Sequence, residues 1–170
     1  MFWAIRNWWT LWSVKRRIQK YGFTATYVPQ GFGVGELAYT TGFQDALDAP
    51  EVVTFGWTME DANGVLWTIF RALKAGEFTI EDFGVWDAPW GPEPKIVWRR
   101  VHRSQIRREF FNISIIMGER AGRPRETVEA FQLVVGDKNG VMPWEAGYDV
   151  NTKPIQPRLW DPYSGPPDED

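Results

Sequence analysis

The chain opens on apolar residues at helical spacing. Ile5, Trp8, Trp9 and Trp12 fall near one face, Lys15, Arg16 and Arg17 follow, and Gly22 stands where a helix-ending glycine belongs, so the pattern predicts a helix over 3–20. The repeat then shortens to that of a strand. Phe23 to Val28 alternates, and Glu36–Phe43 and Glu51–Trp57 do the same, predicting three strands. Pro29 to Gly35, with alternating Gly31, Gly33 and Gly35, reads as a hairpin turn, and Gln44 to Pro50 reads as a loop. The clearest helical stripe is Ala62, Val65, Leu66, Ile69 and Leu73. It lies between Gly76 and a Thr58/Asp61 pair that resembles a capping box with Asp in place of Glu. Residues 77–94 are rich in Pro and Trp and predict irregular structure. Lys95–Val101 predicts a strand. Ser104 is placed to cap a helix reaching Met117, with Ile106, Phe110, Ile113 and Met117 on one face. Glu129–Val135 predicts the last strand, followed by the turn signal Asp137-Lys138-Asn139-Gly140 and a Pro/Gly-rich remainder. This order predicts an α+β fold: a mostly antiparallel sheet of about five strands with two or three packed helices.

Two strands carry a further pattern. Leu37, Tyr39, Thr41 and Phe43 point one way while Ala38, Thr40 and Gly42 point the other. Val53, Phe55 and Trp57 likewise oppose Val52, Thr54 and Gly56. In a suitable register one sheet face is bulky and the other smooth. A smooth face suits either a packed helix or a flat ligand brought close to the backbone.

Composition narrows the chemistry. The 170 residues fit one domain with a real core. A net charge of −3 gives no overall pull toward nucleic acid. The charge is uneven, however: residues 1–20 hold five basic and no acidic side chains, residues 95–108 hold six and none, and the chain ends Asp168-Glu169-Asp170. The absence of cysteine excludes disulfides, thiolate metal sites and cysteine nucleophiles. The lone His102 falls short of a multi-histidine zinc site, so no metal is expected. No apolar run reaches the roughly 20 residues of a membrane span, and no signal-peptide core is visible. A cytoplasmic location is the expectation. Eleven tryptophans, four of them (Trp3, Trp8, Trp9, Trp12) in the first dozen residues, mark candidate contact surface.

Each candidate chemistry has a plainer alternative. His102 beside Ser104 lacks a G-x-S-x-G elbow and suits a polar helix start. Gly31, Gly33 and Gly35 lack a following G-K-[ST], which leaves the hairpin turn against a nucleotide loop. Asp45, Asp48 and Glu51 cluster near Pro50, while Asp137 and Glu145 flank a later block. Paired carboxylates serve acid–base chemistry only if they converge, and otherwise Asp137 forms a turn and Glu145 accepts backbone hydrogen bonds. Thr40, Thr41, Thr54, Arg100 and Arg103 are the residue types that hold FMN in split-barrel flavoproteins. Arg103 and Arg107, four apart on the predicted helix, suit a phosphate or an acidic partner, or a solvated face answered by the acidic tail.

Several stretches resemble the family catalogued as domain of unknown function 4262. Leu37-Ala38-Tyr39-Thr40-Thr41-Gly42-Phe43 is similar to its AYTIGL strand, and Pro50–Trp57 to its PELIVFGL segment. Phe131–Tyr148, with Pro143-Trp144-Glu145-Ala146-Gly147 inside it, resembles its QLVWPDxxGxFPWExG block, and Gln156-Pro157-Arg158-Leu159 its terminal QP-L element. Gly136, Val135 and Thr41 depart from the usual Pro, Trp and Ile or Val. The resemblance implies a fold family of bacterial or phage origin and no established chemistry. It ties 15–160 into a single α+β domain, with 1–14 as a Trp-rich helical extension and 161–170 as an acidic Pro/Gly-rich tail.

The functional reading that follows is a non-catalytic binding or protein-interaction domain, acting on a protein partner or as a homo-oligomer. Candidate binding residues are Tyr39, Thr40, Thr41, Asp137, Trp144, Glu145, Arg103 and Arg107, with Trp3, Trp8, Trp9 and Trp12 as partner contacts. The first alternative is a flavin (FMN) or nucleotide enzyme. The second is a peripheral membrane protein using the Trp-rich helix.

Overall fold

Where the strand repeat stops decides how the layers stack. The computed structural model describes residues 2–29, 35–152 and 155–165, with the backbone alone for 2–9. In chain order the elements are α1 (Phe2–Tyr21), β1 (Thr24–Val28), β2 (Leu37–Thr41), α2 (Phe43–Leu47), β3 (Glu51–Phe55), α3 (Met59–Lys74), β4 (Ile96–Arg100), α4 (Arg108–Arg120) and β5 (Ala130–Val135). The strands form one sheet in the order β1-β2-β3-β5-β4. Three pairs are antiparallel, and β3–β5 is parallel. The fold is therefore α+β with a mixed, mostly antiparallel five-stranded sheet. Each strand matches a predicted one to within two residues.

Helices cover both faces. The smooth face meets α3: Ala38 and Val52 pack with Phe131, Leu133, Ile96 and Trp98 against Ala62, Val65, Leu66, Ile69 and Phe70. Small side chains on the strands let that helix approach closely. Burying a residue such as Leu66 or Ile69, both wholly inaccessible, contributes about 1.5–3 kcal/mol each. On the bulky face Leu37, Tyr39, Val53 and Phe55 pack against Ile106, Phe110, Phe111 and Ile115 around α4. Phe43 and Trp57, expected on this face, lie instead in the α3 core, because β2 ends at Thr41 and β3 at Phe55. Beyond those points the strand alternation no longer aims side chains.

Two further expectations are corrected. Residues 44–50 are not all loop, since they open with the rest of α2. Ser104 does not start the long helix: it sits in a 3-10 turn over Arg103–Gln105, capped by His102, and α4 begins only at Arg108. Extended backbone at Arg107 separates the two, and the buried Gln105 is anchored by its side-chain amide donating to the Asp161 carbonyl at 3.1 Å. Gly22 and Gly42 make the α1/β2 corner possible. Both have positive φ, +92° and +116°, and a Cβ at Gly22 would stand 2.6 Å from the Phe70 ring.

The predicted irregular segment 77–94 has a defined task. The Phe83 and Trp86 amides donate to the Trp98 and Ile96 carbonyls, and the Trp98 amide donates to the Gly84 carbonyl. Residues 83–86 thus run beside β4 and pair its outer edge, which would otherwise present unsatisfied backbone groups. The turn residues Gly31 and Gly33, and the acidic end Asp168–Asp170, lie outside the described residues.

Candidate functional site

The predicted threonines and Glu51 form a polar centre. Pairing of Thr40 with the buried β3 strand brings its hydroxyl to donate to Glu51 Oε2 at 2.6 Å while accepting from the Val52 amide at 2.8 Å. The Glu51 carboxylate also accepts from the amides of Gly42 (2.8 Å), Phe43 (3.3 Å) and Gln44 (3.4 Å), the open first turn of α2. Complete burial pushes the Glu51 carboxyl up from its ordinary value, and the Thr40 hydroxyl and the three amides pull it back part of the way. Thr41 shares a 2.7 Å hydrogen bond with Ser114 of α4, whose hydroxyl also donates to the Thr40 carbonyl. Tyr39 is buried too, and its hydroxyl accepts from the Ile113 amide at 3.1 Å. A cavity of about 20 Å³ beside Glu51, Thr41 and Ser114 has room for roughly one water. The cluster caps α2 and joins β2 to α4. Glu51, Thr40, Thr41 and Ser114 are all engaged within the fold, whereas the buried hydroxyl of Thr54, the third threonine singled out in the sequence, has no hydrogen-bond partner among the described residues.

Asp137 and Glu145 do not converge on a common point; each folds its own loop. Asp137 Oδ1 accepts from the amides of Asn139 (2.8 Å) and Val141 (2.9 Å), and Oδ2 from Asp149 (3.2 Å). Desolvation alone would raise this carboxyl, but the three amide donors outweigh it and hold the group below the ordinary carboxylate range. Glu145 accepts from the Met142 amide at 2.8 Å. Trp144 meets the ring edges of Phe83 and Trp160. Among these three rings lies the Arg99 guanidinium, 4.0 Å from the centre of Phe83, 4.7 Å from Trp144 and 5.0 Å from Trp160, with Asp82 ion-paired at 3.1 Å. Residues 156–163 run as a strap along the sheet, tied to β5 where the Gln156 side chain exchanges two hydrogen bonds with the Val135 backbone and the Gln132 side-chain amide donates to the Pro157 carbonyl.

The basic stretch is divided. Arg103 is exposed in the 3-10 turn, beside a cleft of about 410 Å³ that His102 and Arg100 also line. Arg107 precedes α4, pairs with Glu109 at 3.0 Å and lies over the Tyr163 ring at 3.6 Å, so the two arginines do not share a helix face. His102 is hydrogen-bonded to Ser104 at 2.8 Å. Trp12 is 45 % exposed on α1, and the side chains of Trp3, Trp8 and Trp9 lie outside the described residues.

One wide opening among the described residues is one that the sequence left unassigned. A groove of about 860 Å³ runs between the second half of α3 (Thr68, Arg71, Ala72) and residues 77–89, with Phe78, Trp86 and Trp98 among its lining. Its rim carries Glu77, Glu81 and Asp87, all exposed. The rings inside are mutually packed: Phe78 stacks on Trp98 at 6.2 Å, and Trp86 meets Trp90 edge-on at 5.2 Å. The Trp98 indole N–H, buried in this wall, has no acceptor among the described residues. Phe83, Val85 and Trp90, on the same segment, are exposed. The only advance signal was the Pro/Trp richness of 77–94. Among the described residues no group of three or more His, Asp or Glu side chains is placed to hold a metal ion, and no helix is long and apolar enough to cross a membrane.

The family described as Domain of unknown function (DUF4262) matches residues 17–149. The chain belongs to this family. No curated protein and no solved structure matches it. Within the DUF4262 domain the segments that carry the resemblance now have physical roles. The strand carrying Thr40 and the one carrying Glu51 meet in the α2 cap. The Asp137 turn and the Pro143–Gly147 block form the loop that sets Trp144 against Arg99. The groove lining, residues 68–98, lies wholly inside the matched span, whereas the Trp-rich first dozen residues precede it.

Proposed function

We propose that this DUF4262 domain is a non-catalytic binding module and that the groove between α3 and residues 77–89 is its contact surface. One contrast carries the reading. The carboxylates of Glu51 and Asp137 and the hydroxyls of Thr40 and Thr41 are already engaged by hydrogen bonds within the chain, while the groove is open, aromatic-lined and polar at its rim. Its volume of about 860 Å³ falls in the range of roughly 300–1,000 Å³ usual for ligand sites. Val85, itself exposed, lines the groove, and exposed Phe83 and Trp90 on the same segment add aromatic surface, a residue type enriched at interaction sites.

The test is site-specific photocrosslinking. A photoreactive residue at Ala75, on the groove wall, should capture a discrete species in the host extract, and one at Asn63, exposed on α3 away from the groove, should not. Ala72→Trp fills the groove from a half-buried position on the helix flank and should remove the Ala75 product while the protein still melts cooperatively. Equal capture from both positions, or capture indifferent to Ala72→Trp, would overturn the reading.

A further inference from the structure

We infer that the groove receives a positively charged, arginine- or lysine-bearing segment of a partner protein. This rests on the groove being the contact surface. Three carboxylates, Glu77, Glu81 and Asp87, line it against a single cation, Arg71. All three are exposed, and none forms an ion pair among the described residues. Their neighbour Asp82 differs, being committed to the Arg99 side chain and the Arg100 amide. The rings of Phe78, Trp86 and Trp98 line the same groove. An aromatic face attracts a cation within about 6 Å of its centre, and a nearby carboxylate adds direct charge pairing.

The chain already holds one cation in this way. Arg99 lies among Phe83, Trp144 and Trp160 with Asp82 against its guanidinium, so the same combination of rings and an acid is satisfied internally by an arginine on the other side of residues 82–83. In the groove the rings and acids are present, and Arg71 is the single cation that the described lining residues set against the three carboxylates. The occupant is a peptide segment and not a small cation because the apolar surface continues past the acids. Phe83 and Val85 are 56 % and 60 % exposed and would contact residues flanking the inserted side chain. The buried Trp98 indole N–H, without an acceptor, adds an unfilled donor to the same wall.

Fluorescence polarisation on the whole 170-residue chain tests this, using labelled acetyl-(Gly-Arg)4-amide against acetyl-(Gly-Glu)4-amide. The arginine peptide should bind and the glutamate peptide should not. E77Q/E81Q/D87N should weaken binding at least tenfold, as should Ala72→Trp. A control with the same charge change elsewhere, D48N/E60Q/E126Q, should bind as the parent does and so exclude a mere net-charge effect. Equal loss in both triple variants, or binding of the glutamate peptide, would overturn the assignment. Displacement of the arginine peptide by an equal concentration of tetramethylammonium would reassign the groove to small cations and also overturn it. If the peptide fails to bind while the Ala75 crosslink persists and is lost in Ala72→Trp, the charge assignment falls and the groove reading stands. If both fail, the groove reading falls with it.

Discussion

At the scale of single residues, two carboxylates show how little a residue type says about its use. Glu51 and Asp137 were both legible as chemically interesting, Glu51 near an acidic cluster and Asp137 at a turn. Each accepts three backbone amides. Both are buried, yet their surroundings push them in opposite directions: desolvation prevails at Glu51 and raises it, while at Asp137 three amide donors and the Lys138 charge outweigh desolvation and lower it. A lowered folded-state value means that Asp137 stabilises the fold above its unfolded pKa of about 3.9, and that this contribution fades as pH falls through the lower native value. Asp137→Asn keeps one acceptor oxygen but turns an amide donor toward the backbone N–H groups. The parent should therefore exceed D137N in stability at pH 7, with the gap narrowing below about pH 4, as read from denaturant melts across pH. A constant gap would show that the anion is not what holds the turn. The sequence could identify Asp137 as a turn former because an Asx turn is local. It could not show that Glu51 caps α2, because that contact needs the register of β2 on β3.

Elements were legible where their chemistry is local. The α3 stripe and its cap are the clearest case. Thr58 Oγ1 accepts from the Asp61 amide at 3.1 Å and donates to Asp61 Oδ2 at 2.8 Å. A glutamate at this position in a capping box would reach back to the cap residue's own amide; the shorter aspartate meets the hydroxyl instead. Thr58→Ala removes both bonds and should destabilise by about 1 kcal/mol, a fall in melting temperature of roughly 2–4 °C for a domain of this size. No change would mean that Asp61 alone secures the helix start. Strands were found because one face of each is apolar. Segment 77–94 is irregular, as its composition predicts, but its pairing with the sheet edge was not legible because its residues are placed by β4 and not by their neighbours in sequence: three backbone hydrogen bonds to Ile96 and Trp98 set residues 83–86 along the sheet. The groove belongs to that tertiary arrangement, so its residues carry no periodic signal. Likewise α4 begins late because Gln105 is anchored to Asp161, a contact spanning 56 positions that no local pattern encodes.

Across the whole molecule, Arg99 is where distant parts of the chain meet. Rings from residues 83, 144 and 160 surround a guanidinium fixed on β4. Arg99→Lys keeps the charge but loses the planar face that stacks on three rings at once. We expect residues 156–163 to exchange amide hydrogens faster in R99K while the strand amides of β3 and β5 are unchanged. Unaltered protection of 156–163 would show that Gln132 and Gln156, which bind the same strap, suffice without it. The sheet order carries a consequence of another kind. β5 lies between β3 and β4 although it is the last strand in the chain, so neither neighbour has its partner until residue 135 has been made. During synthesis the β1–β3 meander can pair within itself. The inner edge of β3, and the inner edge of β4 when it follows, stay open through the whole of α4. Such unpaired edges are where strands of separate chains join by mistake. For this domain the hazardous interval in biogenesis therefore falls late, and it closes when a single strand slides into the middle of the sheet.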